Sequence, residues 1–511
     1  MPSPLHGLKP PFTLASNIVY FHDWHYVYAG NFGWLGPAGD AVPLYGTEPV
    51  PPMHMRYQDI PLGIHLVAQP AQKTDPVMTA EGNGEASIGA VTCIYEQGRY
   101  RMWYEGSPAE IFTGGLAGSV NLLRYAESDD GVDWKRPSLG IVEFAGGRNN
   151  NIVYGGPVTP AGYHGGSVFL DPSAPPQERY KIFHCGDVTE DCLTRFRQQR
   201  PNDVDAFHLE TDRFPASGLF GGVSPDGLHF TPIAEPLVVQ TSDTHNVCTY
   251  NVTLGKYVAY VRSWYLNRRT IGRMETDDFR RFPLPEELFW PNGSTAPYES
   301  WYSSAKTMVP GTTDYHVMFP LCWSMAEDRL EFHLAASPDD MVWNFVPCGP
   351  VCVPGPPGAW DQGVVVPGLG LVPLPGDRMG ILYVGIPFPH KYPRRPPWGA
   401  FGWAWWPKGR LVALRAPLEG SFALWYLRVS KRTVRLNFRT RPTGYVQVEV
   451  LGPERKVLPG RRFDDCGYLT GDHLDHLVTW RGEPDLGHPE GAPILLRFRL
   501  RSADLFSVEF S

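Results

Sequence analysis

The chain has 511 residues, a formal net charge of −8 and 42% hydrophobic residues. This length exceeds one ordinary domain, so two or three domains are expected. The negative charge argues against nucleic acid and anionic membranes as main partners. The sequence contains no run of about 18 apolar residues, and its Pro-rich start lacks the apolar stretch of a signal peptide. We therefore expect a cytoplasmic protein without a membrane span.

Turn-forming residues are frequent along the whole chain. The sequence has 54 glycines and 52 prolines, and helical periodicity is nearly absent, the best short candidate being residues 285–288. This composition favours an all-β fold. Residues 1–80 carry many turn signals and few strand pairs, among them Asp23-Trp24-His25. We expect them to form an arm that packs across the domain that follows.

Five consecutive stretches within residues 81–415 share one pattern. Each pairs two strand-like runs, and the first four end in a Ser/Thr-x-Asp-x-x-x-aromatic segment. The paired runs are 90–95 with 100–104, 166–170 with 180–184, 247–252 with 257–262, 303–309 with 315–320, and 363–372 with 378–384, followed by 398–406. Because such a repeat cannot bury its own hydrophobic face, it must stack on its neighbours. The pattern predicts a five-bladed β-propeller over residues 81–415.

Two further segments depart from the repeat. The insertion 187–217 has no clear period and is expected to be a loop over one rim of the ring. From residue 416 the sequence changes to alternating strands, predicted at 434–438, 446–450, 494–500 and 505–510. This half-buried antiparallel pattern predicts a C-terminal β-sandwich over residues 416–511.

Acidic residues lie near the start of the inner strand in four of the five repeats. Inner strands of a propeller run along its axis, so the residues that open them converge at one mouth. The candidate carboxylates are Glu85, Asp243, Glu299 and Asp361; the candidate contacts beside them are His164, His245, Trp301, Tyr302 and Trp360.

This set of side chains suits glycoside chemistry. Cleavage of a glycosidic bond needs one carboxylate facing the anomeric carbon and one carboxylic acid that protonates the leaving oxygen. When two carboxyl groups lie close together, their pKa values move apart, so one can be protonated while the other is ionised. Aromatic side chains stack on the faces of sugar rings. No cofactor is predicted, although oxygens of Asp243, Glu299 and Asp361 would also suit a divalent cation.

Structural explanations compete with these assignments. An acidic residue before a strand is often a turn or cap residue, and His164 and His245 are equally compatible with satisfied structural histidines. The acids of the repeated terminal segments, Asp130, Asp226, Asp278 and Asp339, are interpreted as bonding their own turns. Asp171, which precedes Pro172 at a strand end, is interpreted as a turn residue.

Several segments resemble the clan of five-bladed propeller glycosidases that includes the invertase/fructanase family 32 and the arabinanase-type family 43, above all bacterial relatives of the family 32 N-terminal domain. The resemblance rests on residues 100–104, 126–140, 149–153 and 178–181. It implies the propeller, the trailing sandwich and an acid-rich axial site. The family's nucleophile, Ser-Gly-Ser element, Arg-Asp-Pro aspartate and acid glutamate match Glu85, residues 165–167, Asp243 and Glu299. The Asn-Asp-Pro-Asn-Gly motif is absent, and neither Arg nor Pro flanks Asp243.

Three functional hypotheses follow, of which the third is a propeller that mainly serves assembly, with the C-terminal sandwich as its contact surface. The first is a glycoside hydrolase or transglycosidase acting on a furanoside, fructoside- or arabinoside-like, or on another small saccharide. In it Glu299 is the general acid, Glu85 the nucleophile or base, and Asp243 the group that orients hydroxyls and stabilises positive charge. The second is a carbohydrate-binding propeller without catalysis. The sequence fixes neither the linkage nor the oligomeric state.

Overall fold

The computed structural model describes residues 5, 7–38, 40–42, 54–81, 85–108, 121–159, 161–206, 216–290, 295–392 and 397–511. Two compact units share these residues. The larger unit comprises Pro70–Ala336 and Gly349–Trp406, and the smaller unit comprises Met1–Gln69, Ser337–Cys348 and Pro407–Ser511. Both consist mainly of β-strands, so the expected all-β class is confirmed. No helix in the described ranges is long and apolar enough to cross a membrane.

Three sheets of four strands follow one another at the start of the larger unit. The first has the order Ile152–Gly155, Leu122–Ser128, Arg99–Ser107 and Ser87–Glu96; the second His164–Leu170, Tyr180–Val188, Ala216–Ser224 and Thr231–Pro232; the third Val247–Asn251, Lys256–Tyr265, Arg268–Thr276 and Glu286–Glu287. Neighbouring strands pair antiparallel in each sheet. The strand pairs predicted for the first three repeats are therefore confirmed.

The fourth and fifth repeats share their strands between two sheets. The short strands Lys306–Met308, His316–Met318 and Ala335–Ser337 lie in one sheet with Asn344–Phe345. The other sheet contains Glu299–Ser303, Leu321–Ser324, Arg329–Phe332, Val364–Pro367, Val372–Leu374, Arg378–Ile386 and Ala400–Pro407, with Gln72–Lys73 and Met78–Thr79 paired to the last of these. The early strands 72–79 thus join the last strand of the repeat region.

One cavity is lined by a segment of each of the five repeats. Its volume is about 570 Å³, and the lining segments are residues 92–95, 167–170, 247–250, 306–312 and 369–373. These segments lie on or directly beside the inner strands, so the five inner runs surround a common space.

The repeated Ser/Thr-x-Asp turns have nearly the same geometry wherever they occur. In the first, Ser128 Oγ lies 2.9 Å from Asp130 Oδ1, which also accepts the backbone N–H groups of Val132 and Asp133. Asp226 and Asp339 make the same set of bonds in their turns, and Asp278 accepts from the N–H of Arg280. The interpretation of these acids as turn residues is confirmed.

The helix prediction is wrong in its location. Residues 285–288 contain the strand Glu286–Glu287, whereas the insertion after Asp187 contains the α-helix Glu190–Gln199. Thr189 caps this helix by accepting the N–H of Cys192, and Glu190 and Asp191 favour its positive N-terminal end. Leu193 and Phe196 are the buried residues of this helix. The helix therefore packs through one narrow apolar face, which is too short to give a visible helical periodicity in the sequence. Short 3₁₀ turns occupy Gly156–Val158, Pro176–Glu178 and Pro201–Asp203.

The smaller unit is organised around one sheet with two very long strands. Its order is Asp472–Leu477, Val434–Leu451, Leu495–Phe510, Val412–Ala423 and His65–Ala68, and Ile18–Tyr20 also pairs with Leu495–Phe510. The remaining elements are the strands Phe12–Thr13, Leu427–Arg428, Asn31–Leu35, Ala41–Val42 and His54–Gln58, and the helical turn Phe463–Cys466.

The structure joins the four strands predicted after residue 430 into two long continuous strands. Val434–Leu451 and Leu495–Phe510 pair antiparallel from Val434 to Thr440 and again from Tyr445 to Leu451, with register shifts between Asn437 and Phe438 and between Thr440 and Tyr445. Residues 441–444 have no Cα partner in this register, so they form an irregularity within a continuous strand rather than a break between two strands.

Candidate functional site

The mouth of the larger unit is built where the inner strands begin. His164 opens the second inner strand, and its Nδ1 lies 3.2 Å from Glu105 Oε1 and 2.9 Å from Asn121 Nδ2. The backbone N–H of Gly165 donates to the other Glu105 oxygen at 2.7 Å. The carboxylate of Glu105, from the first sheet, therefore holds the start of the second.

Asp243 is the most open carboxylate of the mouth. Its Oδ1 accepts hydrogen bonds from Arg262 and from Arg269, the latter at 2.7 Å. The two arginine side chains are only 7% and 9% exposed, whereas the Asp243 side chain is 61% exposed. Two buried guanidinium groups thus orient a carboxylate that remains accessible to a ligand.

An aromatic wall continues from the same arginines. The Arg269 guanidinium lies 3.9 Å from the centre of the Tyr302 ring, and the Tyr302 hydroxyl lies 3.1 Å from His390 Nε2. The Trp323 ring meets His390 edge-on, with 5.5 Å between ring centres. We call Glu105, His164, Asp243, Arg262, Arg269, Tyr302 and His390 the mouth cluster; it draws on all five repeats.

Gly165 lets two parts of this cluster approach closely. Its φ is +55°, and a Cβ atom there would lie 1.9 Å from the carbonyl oxygen of Thr244. The Gly165 carbonyl also accepts from the backbone N–H of Asn246 at 2.7 Å. Only glycine fits this contact, which places the Asp243 loop against His164.

The charges of the mouth are coupled. The Glu105 carboxylate raises the pKa of His164 to about 9. Burial opposes ionisation of Glu105, yet the imidazolium and the Gly165 N–H hold its pKa below the usual value. Burial lowers the pKa of His245 to about 4, so His245 is neutral and His164 is charged at pH 7.

This coupling predicts a titration change in Glu105→Gln. Gln keeps an oxygen for the Gly165 N–H but loses the charge, so the pKa of His164 should fall from about 9 toward its ordinary 6.5. A raised histidine pKa stabilises the fold below pH 6.5, and this contribution is lost as the pH rises through 9. Because the His164 side chain is 42% exposed, solvent screening should limit the effect to less than about 1 kcal/mol.

The measurement is an NMR titration of ring-labelled histidine, with His164→Gln identifying the signal. A His164 pKa that is the same in the wild type and in Glu105→Gln would contradict the ion pair. A stability difference between the two proteins that grows above pH 9 would contradict the sign of the linkage.

Glu85 lies beside the cluster but is deeply buried. It is 3% exposed, its Oε1 accepts from the Tyr104 hydroxyl at 2.7 Å, and its Oε2 accepts from Arg136 at 3.1 Å. Arg124 Nε lies 3.8 Å from the same carboxylate. Glu85 is therefore held in place by Tyr104, Arg136 and Arg124.

Glu299 and its neighbours are engaged mainly in local contacts. The Glu299 Oε2 accepts the backbone N–H of Ala296 at 3.0 Å, across its own turn. Trp301 is 8% exposed, and its ring meets that of His333 edge-on. The residue of this segment that belongs to the mouth cluster is Tyr302.

Asp361 belongs to a different set of contacts. It is 2% exposed and accepts from Lys73 Nζ at 2.6 Å and from the Tyr383 hydroxyl at 2.9 Å. Trp360 stacks on the same Tyr383 ring, with 5.3 Å between centres. The partners of Asp361 and Trp360 thus lie in the fifth repeat and the preceding strand 72–73, not in the mouth cluster.

Sequence reasoning missed Glu105, Arg262, Arg269 and His390. One signal was available: Glu105 and Arg262 are charged residues inside runs of mostly buried strand residues. A buried charge is costly unless it is paired, so an isolated charge in such a strand marks a partner nearby. Across the described ranges, no three His, Cys, Asp or Glu side chains lie together in a way that would hold a metal ion.

Comparisons with known proteins complete the description of the site. No family model matches the sequence, and no curated protein matches it. Among solved structures, the chain is similar to a glycosyl hydrolase from Bacteroides ovatus, with 11% identity over 68% of this chain and 96% of that one and a TM-score of 0.44. It is similar to a GH32 β-fructofuranosidase from Bombyx mori at 10% identity, over 85% and 94% of the two chains, with a TM-score of 0.41.

A third similar structure has a different activity. It is an N-acetylgalactosamine deacetylase from F. plautii in complex with blood group B trisaccharide, with 12% identity over 67% of this chain and 94% of that one and a TM-score of 0.41. At these scores the resemblances define neither the fold nor the activity of this chain.

Proposed function

We propose that the larger unit is a five-bladed β-propeller glycosidase that hydrolyses or transfers the glycosyl group of a furanoside or another small saccharide. The observation that carries the proposal is the mouth cluster itself. Asp243 has an open carboxylate, the His164 imidazole beside it has a raised pKa, and the Tyr302 and His390 rings adjoin them in a cluster that draws on all five repeats. Saccharides need oxygens and N–H donors for their hydroxyls and aromatic faces for their rings.

Asp243 is the residue best placed for direct contact with substrate. Its exposed side chain would accept hydroxyl groups and stabilise the positive charge that develops on the sugar ring. Arg262 and Arg269 would hold it in a fixed orientation through their hydrogen bonds. His164 and Tyr302 would contact further hydroxyls.

The remaining roles are proposed for the two glutamates. Glu299 would protonate the leaving oxygen, and Glu85 would act as nucleophile or base at the anomeric carbon. Since Tyr104 and Arg136 hold Glu85 at 3% exposure, catalysis through it requires the saccharide to enter deeply beside the first sheet. His245, Trp301, Trp360 and Asp361 are proposed as further saccharide contacts, with the partners of Trp360 and Asp361 lying outside the mouth cluster.

A specific observation favours the alternative, a carbohydrate-binding propeller without catalysis. Glu85 and Asp361 are buried in ion pairs, and Glu299 bonds its own turn. A binding site needs Asp243, His164 and the aromatic wall, but it needs no free carboxylic acid.

One experiment separates the two hypotheses. Aryl glycofuranosides, β-fructosides and arabino-oligosaccharides are offered to the full-length protein, and turnover and equilibrium binding are measured in parallel. Turnover that is lost in Asp243→Asn supports the glycosidase. Binding without turnover, if it is weakened in Asp243→Asn, supports the binding propeller. The absence of both binding and turnover with every compound would contradict both hypotheses.

A further inference from the structure

The smaller unit contains a cavity that the mouth cluster does not use. Its volume is about 810 Å³, and its walls come from residues 22–25, 65–67 and 344–348 with Pro338, Val342, Arg415 and Pro417. Pockets that bind small molecules generally have about 300–1,000 Å³ and a largely apolar lining with a few polar groups. The cavity is therefore large enough for two or three sugar rings.

An exposed indole forms part of this wall. Trp24 is 46% exposed, and Val342 beside the same cavity is 56% exposed. The loop that carries Trp24 is fixed locally, because Asp23 Oδ1 accepts the backbone N–H of His25 at 2.8 Å. The indole is thus presented by a preformed turn, which reduces the conformational entropy that the protein would lose on binding a ligand.

Polar side chains with unused hydrogen-bonding capacity surround the indole. The imidazoles of His25 and His65 and the amide of Asn344 line the cavity, and they make no side-chain hydrogen bond to the described part of the chain that meets ordinary geometry. Asp23 uses one carboxylate oxygen for its turn, and its burial raises its pKa. The wall therefore offers both donors and acceptors.

We propose that this cavity is a second saccharide-binding site, in which a neutral sugar ring stacks on Trp24 and its hydroxyls bond to Asp23, His25 and Asn344. The combination of one open aromatic face and several hydrogen-bonding side chains matches a polyhydroxylated ring. Arg415 contributes no spare positive charge for an anion, because Asp504 binds it at 2.6 Å and 3.0 Å. The site is separate from the mouth and does not require catalysis there.

The test uses full-length protein labelled with 5-fluorotryptophan. The fluorine signal of Trp24 is identified by its absence in Trp24→Phe. Four neutral trisaccharides serve as probes: kestose, arabinotriose, mannotriose and cellotriose. At least one probe is expected to shift the Trp24 signal in the wild type and equally in Asp243→Asn.

Affinity provides the second readout. Trp24→Ala should weaken binding of the active probe at this site about tenfold or more, because stacking and apolar contact are lost. The matched control is Trp290→Ala, which removes another exposed tryptophan and should leave the affinity unchanged.

The outcomes separate this proposal from the function proposed for the mouth. A Trp24 shift without turnover on any saccharide keeps the second site and overturns the glycosidase. Turnover with no Trp24 shift by any probe overturns the second site alone. Binding that is unchanged in Trp24→Ala but abolished in Asp243→Asn would also overturn it, because the mouth would then hold the only ligand.

Discussion

Glu299→Gln is expected to lower turnover of natural saccharides by about 10²- to 10⁴-fold while largely preserving binding. Gln is nearly isosteric with Glu but cannot donate the proton that the leaving oxygen needs. Substrates with an activated leaving group need less protonation, so their loss should be smaller. Initial rates on a natural and an aryl substrate, with binding measured on the same samples, give the comparison.

The turn around Glu299 supplies a control for a purely structural role. The Gln side-chain oxygen can still accept the Ala296 N–H that Glu299 accepts at 3.0 Å, whereas Ala at this position cannot. If the glutamate only caps its turn, Glu299→Ala should be impaired and Glu299→Gln should behave like the wild type.

Two other variants define the complementary roles. Glu85→Gln should impair natural and activated substrates alike, because attack on the anomeric carbon is required for both. Asp243→Asn should weaken binding as well as turnover, since its proposed contacts are with hydroxyls and charge. Wild-type activity in all three variants would reject these roles.

Asp171→Ala is expected to destabilise the larger unit by about 3–5 kcal/mol, the usual cost of leaving one partner of a buried ion pair uncompensated. Asp171 and Lys181 are each 1% exposed, and their carboxylate and ammonium atoms lie 3.0 Å apart. The Tyr257 hydroxyl donates to the same carboxylate at 2.6 Å, and Ser173 bonds the other oxygen from its backbone and hydroxyl. The interpretation of Asp171 as a turn residue is confirmed, with a buried partner in addition.

The stability measurement is calorimetric unfolding of the full chain. The double variant Asp171→Ala/Lys181→Met should recover much of the loss, because removing both charges leaves no unpaired ion. The matched control is Asp130→Ala, an exposed aspartate in a turn of the same kind, expected to cost about 1 kcal/mol. Equal effects of Asp171→Ala and Asp130→Ala would contradict the importance of the buried pair.

The effect of Asp171 has a definite pH dependence. Burial alone would raise the pKa of Asp171, but Ser173, Tyr257 and Lys181 lower it below the ordinary 3.8. The stabilisation is therefore present above pH 3.8 and is lost as the pH falls through the lower pKa of the folded protein.

The sequence by itself determined the strand pairs of the repeats and the Asp turns. Both depend on neighbours in the chain: alternation sets which face of a strand is buried, and Ser128 and Asp130 bond within one turn. The helix at Glu190–Gln199 carried local signals as well, in its Thr189 cap and acidic first turn, but its short apolar face hid its period.

Only the tertiary structure decided which charged residues meet. Asp243 is joined to Arg262 and Arg269, and Glu105 to His164, through contacts between different strands and sheets. Glu85 and Asp361 also lie a few residues before a strand, as Asp243 does, yet their side chains are only 4% and 2% exposed, whereas that of Asp243 is 61% exposed. Position before a strand is a local property of the chain, whereas burial depends on which side chains from distant parts of the chain pack over the carboxylate, such as Arg136 for Glu85 and Lys73 for Asp361.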